Sequence, residues 1–141
     1  MTPYTKIYDA FLARILTDDW DNWTIDEAKR DWQELMNAAL PKFKFPRVSL
    51  EQGKDGFTAD LGNEEIQIIA SYMKCEWLGR QLMSWENIQH LYDERDYSPA
   101  NMLDKLTDTL EKERKEALKL ESLYYRSIKG RPYPYRNLAG G

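Results

Sequence analysis

Between residues 66 and 83 apolar side chains fall on nearly every side of a helical wheel: Ile66, Ile68, Ile69, Tyr72, Met73, Trp77, Leu78 and Leu82. A helix that is apolar all round must be covered all round, by the rest of its own chain or by other subunits. Any fold open to this sequence therefore has to wrap this segment, which makes it the expected core element. Asn63 is the expected N-cap, with Glu64 and Glu65 favourable at the positive helix end.

The flanking segments supply covering helices. Ile7, Tyr8, Phe11, Leu12 and Ile15 are spaced one, three, one and three apart, predicting a first helix over 4–16. Thr24-Ile25-Asp26-Glu27 reads as a capping box, and Trp23 is placed to staple onto Ala28. The second helix then runs to about residue 40, with Trp32, Leu35, Met36 and Ala39 inward and Pro41 ending it. Trp85 and Ile88, with Leu91 or Tyr92, are able to prolong the third helix before Asp93-Glu94-Arg95-Asp96, which reads as a solvated bend. Ser98-Pro99 is a strong start signal for a fourth helix reaching about residue 126. Leu103, Leu106, Leu110, Ala117, Leu120 and Tyr124 form its inward stripe, interrupted by Glu113.

Two segments break the helical period. Phe43, Phe45 and Val48, then Phe57, Ala59 and Leu61, alternate on either side of Gly53-Lys54-Asp55-Gly56. This predicts a β-hairpin or extended arm over about 43–61, with Pro46 restricting the first run to an edge. After the fourth helix, Pro132, Pro134, Gly130, Gly140 and Gly141 forbid helix, so 127–141 is expected to be an extended tail. The expected class is mainly α: one bundle-like domain of four helices over 1–126, with the arm between the second and third helices.

With 42% hydrophobic and 31% charged residues, the chain has the balance of a soluble globular domain. No apolar run is long enough to span a bilayer, and the amino end lacks the apolar block of a signal peptide, so a cytoplasmic origin is expected. The net charge of −4 argues mildly against general nucleic-acid binding. That charge is uneven. Arg126, Lys129, Arg131 and Arg136 face no acid from residue 126 onward.

Little in the sequence points to chemistry. A single histidine, His90, builds neither a catalytic triad nor a multi-histidine metal site. The lone Cys75 lies in an apolar run and reads as a small buried hydrophobe. Ser71 and Lys74 match a serine-x-x-lysine spacing, but the companion motifs of that enzyme class are missing. Gly53-Lys54 lacks the rest of a phosphate-binding loop, and the acidic clusters lack calcium-loop spacing. Neither catalysis nor a cofactor or metal is expected.

Surfaces remain. Five Trp and nine Tyr are favoured at protein interfaces but also fill cores, and composition alone does not choose between the two. A cationic, aromatic, proline-containing tail on an acidic body suits docking into a partner's groove. Ile128, Arg131, Pro132, Tyr133, Pro134, Tyr135, Arg136 and Leu138 are the candidate contacts there. On the arm, Val48, Leu50 and Phe57 are the candidates, against the alternative that the arm is a hairpin folded on its own helices.

The runs Ala39-Leu40-Pro41-Lys42-Phe43-Lys44-Phe45-Pro46 and Leu61-Gly62-Asn63-Glu64-Glu65-Ile66-Gln67-Ile68-Ile69-Ala70-Ser71-Tyr72-Met73 resemble the neck proteins of tailed bacteriophages. So do Glu76-Trp77-Leu78-Gly79-Arg80-Gln81-Leu82 and a long final helix preceded by Ser98-Pro99-Ala100-Asn101. These are the head–tail connector or adaptor proteins beneath the portal, and the similarity extends in order over most of residues 8–126. The resemblance implies a non-enzymatic virion protein forming a homo-oligomeric ring, usually of twelve copies, that lines the DNA channel between portal and tail. DNA would be passing cargo. It implies that the C-terminal segment docks on the portal and the arm meets a neighbour or the next neck or tail protein. A tail-completion protein, or an assembly factor binding its partners transiently, is the alternative within the same setting.

Overall fold

The apolar stretch lies within a single long helix, Asn63–Gln89, in a computed structural model that describes residues 1–89, 97–128 and 131–132. In chain order the elements are β1 (Thr2–Pro3), α1 (Tyr4–Leu12), α2 (Ile25–Ala39), a 3-10 turn (Leu40–Lys42), β2 (Gly56–Phe57), α3 (Asn63–Gln89), α4 (Tyr97–Tyr125), β3 (Ser127–Ile128) and β4 (Arg131–Pro132). The architecture is mainly helical and bundle-like, as the periodicity predicts.

α3 is the shared element. α1 and α2 pack along one part of its circumference and α4 along another, so Ile68, Ile69, Ala70 and Met73 lose essentially all contact with solvent. Beyond Leu78 the helix emerges, and Arg80, Met83, Ser84 and Glu86 are exposed. Its entry differs from expectation by one residue. The Gly62 carbonyl accepts the Ile66 N–H at 3.1 Å, and Glu65 accepts the Gly62 N–H at 3.1 Å, so Asn63 sits inside the first turn.

The α2 capping box forms as predicted: Thr24 accepts the Glu27 N–H and Glu27 reaches back to the Thr24 backbone. Trp23 nevertheless remains 45% exposed. Between α1 and α2 the rings of Tyr8, Trp32, Trp20 and Phe11 meet in succession at 5.6, 5.8 and 6.0 Å, tilted or edge-on, the orientation ring quadrupoles favour. The Trp20 indole donates to Asp31 at 2.7 Å, and Arg80 grips both oxygens of the same carboxylate at 2.7 and 2.8 Å. Burial alone would raise the Asp31 pKa. The Arg80 and Trp20 hydrogen bonds, with the Arg80 charge, outweigh it and hold the group below the usual carboxylate range.

α1 ends earlier than its apolar stripe. The Ala13 N–H closes on Asp9, but the Arg14 N–H tightens onto Phe11 at 3.0 Å, and the chain leaves the helix while Ile15 stays buried. On α4, Leu110, Ala117 and Tyr124 are the buried line. Glu113, the interruption in that line, is met by Lys74 of α3 at 3.0 Å, with both side chains only about one-fifth exposed.

The arm does not project. Its turn is present, with the Gly53 N–H bonded to the Gly56 carbonyl at 2.7 Å and Gln52 bridging Phe57. But Gly56 and Phe57 also pair antiparallel with Pro3 and Thr2, which clamps the turn to the amino end. Thr2, itself buried, donates to the Ala59 carbonyl at 2.9 Å and accepts the Leu61 N–H at 2.8 Å. A Cβ at position 56 would stand 2.1 Å from the Thr2 carbonyl oxygen, so only glycine permits this approach.

Candidate partner-binding surfaces

The residues leading into the arm lie as an extended strip across the carboxyl end of α4, and side chains of α4 satisfy their backbone. Glu121 accepts the Lys44 N–H at 3.2 Å, the Tyr125 hydroxyl accepts the Phe45 N–H at 3.0 Å, and the Tyr124 hydroxyl accepts the Arg47 N–H at 2.7 Å. Glu121 is buried and also accepts short hydrogen bonds from the Tyr72 and Tyr125 hydroxyls. Three donors thus converge on one buried side chain and satisfy its oxygens. Burial, and then the bond to Glu121, push the Tyr72 hydroxyl pKa up and that of Tyr125 up to about 12.

Arg47 completes the corner. Its guanidinium lies over the Tyr124 ring and donates to the Tyr124 carbonyl at 2.8 Å and to the Ser127 carbonyl, while meeting Glu64 of α3 at 3.3 Å. The Ser127 hydroxyl bonds the Tyr124 carbonyl at 2.8 Å. One arginine therefore ties the entry to the arm, the end of α4 and the start of the tail. Sequence reasoning missed this group, in which Arg47 stands 77 residues from Tyr124 and 80 from Ser127.

The predicted contact residues divide. Phe57 is wholly buried against Tyr4, with ring centres 5.6 Å apart, so it belongs to the core and corrects the expectation that it meets a partner. Val48 and Leu50 are half-buried and pack on the same core. In the tail, the backbone of Ile128 and Arg131–Pro132 forms the small antiparallel pair β3–β4. Tyr133, Pro134, Tyr135, Arg136 and Leu138 lie outside the described residues, as do His90 and Leu91.

Large apolar side chains do reach solvent elsewhere. Phe45 is 74% exposed and packs edge-on against Tyr125 at 5.9 Å, and Leu118 stands two turns before Tyr125 on α4. Beside them a groove opens between Pro41, Lys42, Lys44, Cys75, Arg114 and Leu118. On the loop between α1 and α2 Leu16 is fully exposed and Trp23 is 45% exposed, and Ile25, the first residue of α2, is 61% exposed.

Of the residues considered for chemistry, Ser71 is buried, and its hydroxyl has no hydrogen-bond partner among the described residues. Cys75 is buried, which pushes its thiol pKa up and away from reactivity. Lys74 is engaged by Glu113 rather than Ser71. Among the described residues no group of three or more His, Cys, Asp or Glu side chains is gathered to hold a metal ion, and no helix is long and apolar enough to cross a membrane.

No protein-family model matches this chain, and no curated protein or solved structure is detectably similar to it.

Proposed function

We propose that this chain is a structural subunit of a bacteriophage neck, a head–tail connector that assembles as a ring on the portal and lines the DNA channel. The observation that carries a protein-binding role is the apolar corner built by Phe45, Tyr125 and Leu118. It lies where Arg47 fastens arm, helix and tail together. Large apolar side chains left exposed on one face beside charge mark a place where another protein sits. The resemblance of 39–46, 61–73, 76–82 and 98–101 to neck proteins supplies the identity of that setting.

In this reading the segment from β4 onward docks on the portal through Tyr133, Tyr135 and the cations Arg131 and Arg136. The acidic body faces a channel through which DNA slides without being gripped.

Electron microscopy of particles, and of the purified chain mixed with portal, tests this directly. A collar of this chain in stoichiometric amount beneath the portal is expected. A chain present during assembly but missing from finished particles would instead be a transient assembly factor, and the connector reading would fall.

A further inference from the structure

The geometry points to a second copy of this chain as the occupant of the groove between α2 and α4, with the exposed α1–α2 loop of the neighbour as the docking segment. This inference rests on the ring proposed above and assigns its two faces.

The groove is lined by Lys42, Lys44 and Arg114 around Pro41, Cys75 and Leu118, and no acid is among its lining residues. Lys42 is tied to Glu76 at 3.0 Å, while Lys44 and Arg114 are exposed at the rim with Phe45 beside them. Its character is apolar floor and positive edge.

The loop has the opposite character. From residue 16 to 28 there are five acids, Asp18, Asp19, Asp21, Asp26 and Glu27, and no cation. The same stretch presents Leu16 fully, Ile25 at 61% and Trp23 at 45% to solvent. Hydrogen bonds hold this shape: Asp19 accepts from the Trp77 indole at 3.0 Å and from Gln81 at 2.7 Å. Asp18 and Asp21 are left exposed. A negative, apolar, pre-formed protrusion on the same chain matches a positive, apolar groove.

Their placement suits head-to-tail association. At about 100° per residue, Trp77 and Gln81 leave α3 on the side roughly opposite Tyr72 and Cys75. The loop braces against the first pair and the groove borders the second, so protrusion and groove occupy opposite flanks of the subunit. Two different patches on opposite flanks generate a heterologous contact, which closes into a ring or runs on as a filament. They do not generate a two-fold dimer.

Charge reversal tests the assignment on the full chain. Sedimentation velocity at low salt should show self-association that weakens as salt is added. Lys44→Glu with Arg114→Glu, and separately Asp18→Lys with Asp21→Lys, should each weaken it more than about tenfold while circular dichroism and melting stay unchanged. Mixing the two variants should restore it, because each reversed surface then meets its complement. If a reversed chain does not fold, Lys44→Gln with Arg114→Gln and Asp18→Asn with Asp21→Asn weaken association in the same direction without rescue on mixing. Association untouched by either pair, or a wild-type chain that stays monomeric at every concentration, overturns the contact. A collar built equally well from both variants would overturn this contact and leave the ring standing. A chain absent from finished particles would defeat the ring while the contact in solution is still read.

Discussion

The guanidinium of Arg47 sits 3.8 Å from the centre of the Tyr124 ring and at the same time donates to the Tyr124 carbonyl at 2.8 Å. A flat, delocalised cation with several donors is needed to do both, which a lysine ammonium cannot. Arg47→Ala should lower stability by about 1–2 kcal/mol, with Arg47→Lys recovering less than half. Chemical denaturation checks this; a lysine variant as stable as wild type would show that charge alone holds the corner.

Glu121 is a buried acceptor for two tyrosine hydroxyls and one backbone N–H. Replacing it with leucine strands those donors and should cost about 2–4 kcal/mol, whereas glutamine keeps one acceptor and should cost less. Melting curves of the two variants, compared with Tyr72→Phe, separate the acceptor from the space it fills.

At Gly56 the obstacle is backbone, not a side chain that can turn away. Gly56→Ala should cost about 1–3 kcal/mol by forcing β2 off β1. Phe57→Ala, which empties a fully buried site, should cost about 3–5 kcal/mol. Amide exchange at Phe57 should quicken in Gly56→Ala if the pairing is what fails.

Asp31 gives a pH dependence of known sign. Its folded pKa lies below the ordinary 3.8, so the folded protein binds that proton less readily than the unfolded chain. The stability it contributes is present above that ordinary value and is lost as pH falls through the folded pKa. Asp31→Asn should therefore flatten the acid limb of the stability curve below about pH 4. Urea titrations at stepped pH measure it, and an unchanged acid limb would place the acid sensitivity in other carboxylates.

Removing residues 131–141 takes away β4 and the cationic segment but leaves Ser127 and its bond to Tyr124. The helices should melt as before while portal binding is lost. Arg131→Glu with Arg136→Glu should weaken binding more at low salt than at high salt. Surface plasmon resonance on immobilised portal decides it, and undiminished binding by the truncated chain would exclude the tail as the docking element.

What was legible in the sequence was local or periodic. The Thr24–Glu27 capping box spans four residues, and the encircled character of α3 is written in its own side chains. The α1 boundary was not legible, because Ile15 continues the apolar stripe after the backbone has ceased to be helical. A stripe reports what is inside, not which dihedrals carry it there. Nor could the arm's attachment be read: the pairing of Thr2 with Phe57 depends on tertiary placement. The same holds for Glu121. It stands in the inward line of α4 between Leu120 and Tyr124, and only the arrival of Lys44, Tyr72 and Tyr125 explains a carboxylate there.

Because α3 is the element that the other helices share, its amide hydrogens should exchange last and only with global opening. α4 has the most extensive packing on α3 of any helix and also holds the short strip around Lys44, Phe45 and Arg47. A neighbour docked on α4 would therefore press on the hub itself.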